Sequence, residues 1–244
     1  VLIKVVYPEA RYFKEIVDAL SKIVDEAAFQ FQQDKLKITA MDISNIALID
    51  IELPAEAFSE YNVEAPLNIG VSLSNLNKLF KKAKKGDRLN IEGDEEHVEL
   101  TLVSATKRLY RFRNLDVKPP EISLANLEFK VDARLIAGSL KEAVKDVESV
   151  SEKIEFEATE EALIVRGKGT GAVEAKYQVG SPALVSLEVK ERSKASYQVS
   201  YVSSVIGLSK ISDTIAVRFS TDSPLQLEFS LGVGKILYLL APAL

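Results

Sequence analysis

The chain has 244 residues, long enough for two ordinary domains, and its 47% hydrophobic and 27% charged residues are the balance of a folded globular protein, which excludes wholesale disorder. Zero cysteines exclude disulfides, thiol nucleophiles and zinc–thiolate or iron–sulfur centres, and a single histidine excludes a multi-histidine metal site. A net charge of −5, from 31 Lys and Arg against 36 Asp and Glu, by itself argues against a nucleic-acid partner, whose phosphates call for cations. No apolar run nears the roughly 20 residues of a bilayer span, and the first residues read as a strand in place of a secretory leader, so the expectation is an intracellular protein.

The first helical pattern opens at Glu9-Ala10-Arg11-Tyr12-Phe13 and runs to Glu26. Phe13, Ile16, Val17, Leu20, Ile23 and Val24 share one face, with Arg11, Lys14, Asp18, Ser21 and Lys22 opposite. Strands follow over 28–31 and 36–39, then an apolar strand, turn and strand over 38–49 whose turn carries Met41 and Ile46. A strand over 67–71 leads into a second helix over 74–84. Leu76, Leu79, Phe80 and Ala83 form its apolar side, and Lys78, Lys81, Lys82, Lys84 and Lys85 crowd the other. Alternating strands over 89–92 and 98–102 flank the turn Asp94-Glu95-Glu96-His97, and a basic strand covers 107–112.

Residues 114–128 have no sustained period, and Pro119-Pro120 remove backbone donors, so this stretch reads as an extended strap held down by Ile122, Leu124 and Leu127. Beyond it, Asp132-Ala133-Arg134-Leu135-Ile136 echoes residues 9–13 and opens a third helix through Leu140, Ala143, Val144 and Val147. Strands over 154–157, 162–165, 172–177 and 196–200, a fourth helix over 202–211, and strands over 214–219 and 225–229 complete the same order of elements. An apolar terminus follows over 236–244. The expectation is an α+β chain of two similar units, each of antiparallel sheets with two short helices gathered on one side.

Candidate chemistry is sparse. His97 stands in a turn without a Ser or Asp motif to make it a base. Gly167-Lys168-Gly169-Thr170-Gly171 lacks phosphate-loop spacing and lies between strands, which makes it a flexible hairpin turn. Asp94, Glu95 and Glu96 are adjacent and diverge, so no metal site is expected. Neither a cofactor nor a catalytic set is expected, and a hydrolytic enzyme is the weakest reading. The lysines say more: Lys14 and Lys22, the cluster of the second helix, Lys141 and Lys145, and Lys210 place cations on all four helices without interleaved base readers, a pattern for phosphate contact. A protein-only scaffold without DNA binding is the alternative.

Taken together, Ala40-Met41-Asp42-Ile43-Ser44-Asn45-Ile46-Ala47-Leu48, Asn114-Leu115-Asp116-Val117, Ser223-Pro224-Leu225 and Tyr238-Leu239-Leu240-Ala241-Pro242 resemble, in order, the motifs of the proliferating cell nuclear antigen family of archaeal and eukaryotic sliding clamps. The resemblance covers essentially the whole chain. It implies domains over 1–114 and 129–244 joined by a connector over 115–128, and three chains closed into a ring around duplex DNA, a homotrimer or a heterotrimer with clamp paralogues.

The resemblance places Lys14, Lys78, Lys81 and Lys145 on the DNA-facing surface, to which the helix reading adds Lys82, Lys84, Lys141 and Lys210; Glu15 and Ser21 stand where the family often has cations. It implies a partner-peptide pocket of Met41, Asn45, Ile46 and Leu48 with Pro120, Ile122 and Leu124 of the strap, and Pro224, Leu239, Ala241 and Pro242. Leu239 replaces a frequent aromatic there. Through such peptides it implies DNA polymerase, clamp loader, flap endonuclease and DNA ligase as partners, in a cytoplasmic, nucleoid-associated setting. The subunit interface it implies joins Arg108, Leu109, Tyr110, Arg111 and Phe112 of one chain to Val173, Glu174, Ala175, Lys176 and Tyr177 of the next, and the basic first strand suits an acidic neighbour.

Overall fold

The computed structural model describes residues 1–124 and 127–244, so Ala125 and Asn126 of the expected strap lie outside the described residues. The chain resolves into two compact units. The first comprises Val1–Ile43, Ile49–Glu121 and Leu231–Ile236, and the second comprises Ser44–Leu48, Ile122–Ser230 and Leu237–Leu244.

In the first half the order is β1 (Ile3–Tyr7), α1 (Ala10–Ser21), β2 (Glu26–Phe31), β3 (Lys35–Met41), β4 (Ala47–Pro54), β5 (Glu60–Val63), β6 (Leu67–Ser72), α2 (Leu73–Phe80), β7 (Arg88–Gly93), β8 (His97–Val103) and β9 (Lys107–Arg113). The second half repeats it: β10 (Val131–Ile136), α3 (Ala137–Glu148), β11 (Lys153–Ala158), β12 (Ala162–Lys168), β13 (Ala172–Gln178), β14 (Leu184–Val189), β15 (Ser193–Gln198), α4 (Val199–Ile206), β16 (Thr214–Phe219), β17 (Leu225–Leu231) and β18 (Gly234–Leu240). In each half β1 or β10 lies between two antiparallel partners, and a second sheet runs β3-β2-β6 or β13-β12-β11-β15. Thus the repeat is real element by element.

The echo of letters is not. Asp132 to Ile136 form strand β10, the counterpart of β1, whereas Glu9 is the residue before helix α1. Alternating burial along Val131, Ala133 and Leu135 gives β10 the period of a one-sided strand. The first helix also ends at Ser21, short of the expected Glu26, because Glu26 is already paired in β2 with Ser72.

Helices form where apolar residues recur at three- and four-residue spacing and find a sheet to cover. In α1, Phe13, Ile16, Val17 and Leu20 are buried. The Phe13 ring meets Tyr7 edge-on at 4.9 Å and stacks toward Phe80 of α2 at 6.1 Å, which locks α1 against β1 and α2. In the second unit Phe156 plays that part, with Tyr197 and Phe219 each 6.0 Å away. Tyr197 also donates its hydroxyl to Ser223 O at 2.6 Å and so fixes the loop before β17; burial, followed by the charge of Asp222, pushes its pKa up.

Close backbone approaches fix other parts of each unit. A Cβ on Gly70 would come within 2.0 Å of the Leu115 carbonyl oxygen. At that point Leu115 N–H donates to Gly70 O, and the Asn114 side chain accepts from Gly70 N and donates to the carbonyls of Asn68 and Asp94. The strap therefore leaves the first unit from a staple and has a fixed origin. The segment 167–171 is the expected hairpin turn between β12 and β13, and its glycines also permit close approach: a Cβ on Gly167 would overlap Val147 Cγ1 and one on Gly169 the Val150 carbonyl oxygen. They let β12 and its turn lie against the end of α3.

Gly70→Ala is expected to destabilise the chain by about 1–3 kcal/mol through this overlap, read as a lower urea midpoint at unchanged slope. Tyr197→Phe is expected to cost about 1 kcal/mol at neutral pH. Because burial raises the Tyr197 pKa, its protonated form supports folding below the ordinary value of 10.0 and that support is lost as pH rises past it. A urea series across alkaline pH should therefore fall less steeply for the Phe variant.

Candidate functional site

The basic cluster is built around the end of α2. Ser72 caps the start of this helix, its hydroxyl accepting from Asn75 N at 3.5 Å, and Leu73, Leu76, Leu79 and Phe80 bury its apolar side. The helix ends at Phe80, so Lys82, Lys84 and Lys85 stand in the turn beyond it, and Lys81 is its C-cap. The expected longer helix is thus replaced by a short helix and a pinned turn. Ala83 is buried under it and directs the four neighbouring lysines into solvent. Asp87, itself buried, closes it by accepting from Lys84 N at 2.9 Å and donating its own N–H back to Lys84 O. Gly86, at φ 90°, permits the reversal, and its N–H donates to the Glu9 carboxylate at 3.1 Å. Cations at a helix C-terminus are favourable in themselves, and a turn fixed by buried Asp87 holds them at constant spacing.

The remaining predicted lysines are more dispersed. Lys14 is half-buried on α1, Lys78 is exposed on α2, Lys141 is half-buried and Lys145 exposed on α3, and Lys210 ends the 3-10 turn Gly207–Lys210 after α4. Glu142, Asp146 and Glu148 share α3 with its two lysines, so positive charge is concentrated in the first unit's helix pair.

Of the predicted pocket residues in the second unit, Ile46 and Ala241 are joined directly through the backbone. Ala241 N–H donates to Ile46 O at 2.9 Å, and Ala243 N–H to Ser196 O at 2.8 Å. Ile46, Ile122, Leu124, Leu239, Ala241 and Pro242 are all half-buried, Pro224 is exposed, and Leu48 is buried in β4. Asn45 adopts φ 58°, a left-handed turn that its side chain tolerates. In the first unit Met41 ends β3 half-buried, as is Pro120 in the strap. Between Met41 and Asn45 in the chain, Ile43 is 99% exposed at the turn's tip. An isoleucine between Asp42 and Ser44, in a turn that composition would make polar, was the available signal.

Among the described residues the two predicted edges are open: β9 pairs only with β8, and β13 only with β12. Arg108, Tyr110 and Phe112 are half-buried while Leu109 and Arg111 are exposed. On β13, Val173 and Ala175 are half-buried, Tyr177 is buried, and Glu174 and Lys176 are exposed. Beside β9 lies an apolar hollow of about 410 Å³, lined by Val71, Leu76, Leu79, Tyr110, Phe112 and Leu115 and rimmed by Lys78, Arg111 and Arg113. Sequence patterning gave no sign of this hollow, because its walls come from α2, β6 and β9 and meet only in three dimensions.

His97 is exposed, and the carboxylate of Asp94 is occupied by the backbone N–H groups of His97 and Glu96, which hold its pKa below the usual carboxylate range. Among the described residues no group of three or more His, Cys, Asp or Glu is disposed to hold a metal ion, and no helix is long and apolar enough to cross a membrane.

Comparison with known proteins agrees over the full length. Residues 2–128 match the family model of the proliferating cell nuclear antigen N-terminal domain, and residues 123–243 match its C-terminal domain. The chain is 36% identical over 245 residues to a "DNA polymerase sliding clamp 1" of Sulfolobus acidocaldarius, covering 99% of each chain. It is 36% identical over 243 residues to the "DNA polymerase sliding clamp" of Pyrococcus furiosus, covering 98% of this chain and 97% of the relative. Its fold superposes with a TM-score of 0.92 on a clamp structure from Thermococcus kodakaraensis at 32% identity, covering 99% of this chain and 100% of that one. The TM-score is again 0.92, at 28% identity and 98% coverage of each chain, against the PCNA2-PCNA3 complex from Sulfolobus tokodaii. With the doubled order of elements, the pinned lysine turn and the two open edges, these matches mean that the chain belongs to the proliferating cell nuclear antigen family.

Proposed function

We propose that this chain is a subunit of a DNA sliding clamp, a processivity factor that encircles duplex DNA and tethers DNA polymerase and other replication and repair enzymes without catalysing a reaction itself. Full-length likeness to proteins named DNA polymerase sliding clamps carries the reading. The pinned turn of Lys81, Lys82, Lys84 and Lys85 supplies its physical basis. Four exposed cations in five residues attract phosphates, and the turn offers no aromatic or amide side chain to read bases, so the contact is independent of sequence and allows sliding. Lys14, Lys78, Lys141, Lys145 and Lys210 extend that contact. A protein-only scaffold gives no reason for a buried Asp87 to hold four cations together.

In this reading the domains span 1–114 and 129–244 with the connector over 115–128, and three chains close a ring through the β9 and β13 edges. Polymerase, clamp loader, flap endonuclease and ligase dock through short peptides at Met41, Asn45, Ile46 and Leu48, the strap residues Pro120, Ile122 and Leu124, and Pro224, Leu239, Ala241 and Pro242. The setting is the nucleoid. Half-buried apolar side chains around a backbone already bonded from Ala241 to Ile46 are suited to an aromatic or aliphatic anchor.

Replacing Lys81, Lys82 and Lys84 together by Ala should leave the fold intact and weaken DNA retention. The slope of log affinity against log salt should drop by roughly 2–3, as three phosphate contacts require; an unchanged slope removes the turn from the DNA surface. Ile122→Ala with Leu124→Ala should weaken a fluorescent partner peptide by about 10-fold or more while sedimentation is unaltered, since each anchor side chain contributes about 1.5–3 kcal/mol when buried. An unchanged titration displaces the pocket from the strap.

A further inference from the structure

The apolar hollow of about 410 Å³ beside β9 is built entirely from the first unit. Its volume lies within the range of small-molecule pockets, roughly 300–1,000 Å³. Val71 of β6 and Leu76 and Leu79 of α2 form one wall and are themselves buried; Tyr110 and Phe112 of β9 form the other and are half-buried. The walls are therefore packed from behind, and the space between them is open to an apolar body.

The repeat shows how such a space is closed elsewhere in the chain. Leu115 N–H donates to Gly70 O of β6, and Ala243 N–H donates to Ser196 O of β15, so the segment after β9 corresponds to the segment after β18. Counting back from these two bonds sets Tyr110 against Tyr238. Tyr238 is fully buried, and its hydroxyl donates to the Tyr201 carbonyl of α4 at 2.9 Å, which ties the last strand of the second unit to its helix. Among the described residues no hydrogen bond holds the Tyr110 hydroxyl. Where the second unit joins helix and strand through this side chain, the first leaves room between them.

The mouth of the hollow is cationic. Lys78, Arg111 and Arg113 stand on its rim. Arg111 is neutralised by Glu99 at 2.6 Å, whereas Lys78 and Arg113 are exposed and form no ion pair among the described residues. Two uncompensated cations over an apolar space call for a ligand that is apolar in its body and negative at one end.

We propose that the hollow is a binding site for a small amphipathic anion, an aliphatic or aromatic carboxylate whose body lies between α2 and β9 and whose head meets Lys78 and Arg113. Burial of the body removes apolar surface from water, and the head gains charge-assisted hydrogen bonds from the two cations. The site stands without the clamp reading, but its consequence rests on that reading. The β9 edge is where a clamp subunit takes its neighbour, so an occupant of the hollow and a neighbouring chain contend for one surface.

Fluorescence titration of the purified full chain with anilinonaphthalene sulfonate, followed by displacement with decanoate, tests the site. The expected result is saturable binding at one site per chain, displaced by decanoate about 10-fold more readily than by decanol, which has the body without the charge. Naphthoate as a second competitor separates an aromatic from an aliphatic body, the tighter of the two identifying it. Lys78→Glu with Arg113→Glu should weaken decanoate by about 10-fold or more. Asn75→Trp, at an exposed position of α2 on the wall, should block the hollow, with an unchanged urea midpoint showing that the variant is folded. Absence of saturable binding, equal displacement by decanol, or undiminished binding to folded Asn75→Trp overturns the proposal. Sedimentation of the chain with and without decanoate reads the consequence: smaller species in its presence support contention with a neighbour, and probe binding with unaltered sedimentation overturns it. A chain retained on circular DNA that shows no saturable probe binding keeps the clamp reading and loses the site. A chain that binds decanoate in the hollow yet is never retained on DNA does the reverse.

Discussion

An unpaired strand edge is the constraint from which the rest of this structure follows. In each half two helices cover a sheet, and aromatic clusters around Phe13 and Phe156 pack between them. Backbone also stays open: β9 and β13 are among the strands that end a sheet, each with an outer row of N–H and C=O groups. Such edges attract other strands, and proteins usually blunt them with bulges, prolines or short length. Here both strands are seven residues long and contain no proline. Only the charged side chains along them restrict what pairs there, without preventing pairing.

Charge placement reconciles an acidic protein with a DNA partner. Net charge sums over the surface, whereas phosphates feel cations within about a Debye length, roughly 8–10 Å at ordinary salt. The turn after α2 concentrates four lysines in that range. Its geometry depends on residues that never touch a ligand: Asp87 closing the loop, Ala83 as the buried anchor, Gly86 at positive φ and Glu9 reaching over from the start of α1. Carboxylates collect elsewhere, around Arg166 and along the flank of α3. The family's weak, sequence-independent grip is compatible with this arrangement because topology, and not affinity, retains a closed ring.

Much of this was legible in the sequence, for identifiable reasons. Alternation along β7, β8, β16 and β17, and the three- and four-residue spacing in α1 and α3, are local patterns and were read correctly as strands and helices. The doubled order of elements was also readable, although the matching letters Glu-Ala-Arg and Asp-Ala-Arg fell on a helix start and a strand. Short coincidences of sequence carry less than order of elements. Helix ends were overrun at Ser21 and Phe80 because lysines and apolar residues continue the period after hydrogen bonding has stopped, and the stop at Phe80 is set by the distant Glu9 and by Asp87. The hollow beside β9, the staple at Asn114 and the acidic flank of β13 were hidden for one reason: each joins elements remote in the chain. Glycines 167 and 169 lie at the expected hairpin, and their close packing against α3 and the turn after it is visible only from the neighbour across the gap.

A sliding clamp encloses DNA and does not merely adhere to it. The most direct measurement follows the protein after it has been loaded onto a nicked circular plasmid and passed through a high-salt gel-filtration column, before and after one restriction cut. An enclosing ring stays with the circle at salt concentrations that abolish phosphate contacts, and runs off the ends once the circle is cut. Equal loss from circular and linear DNA at every salt concentration would contradict the account.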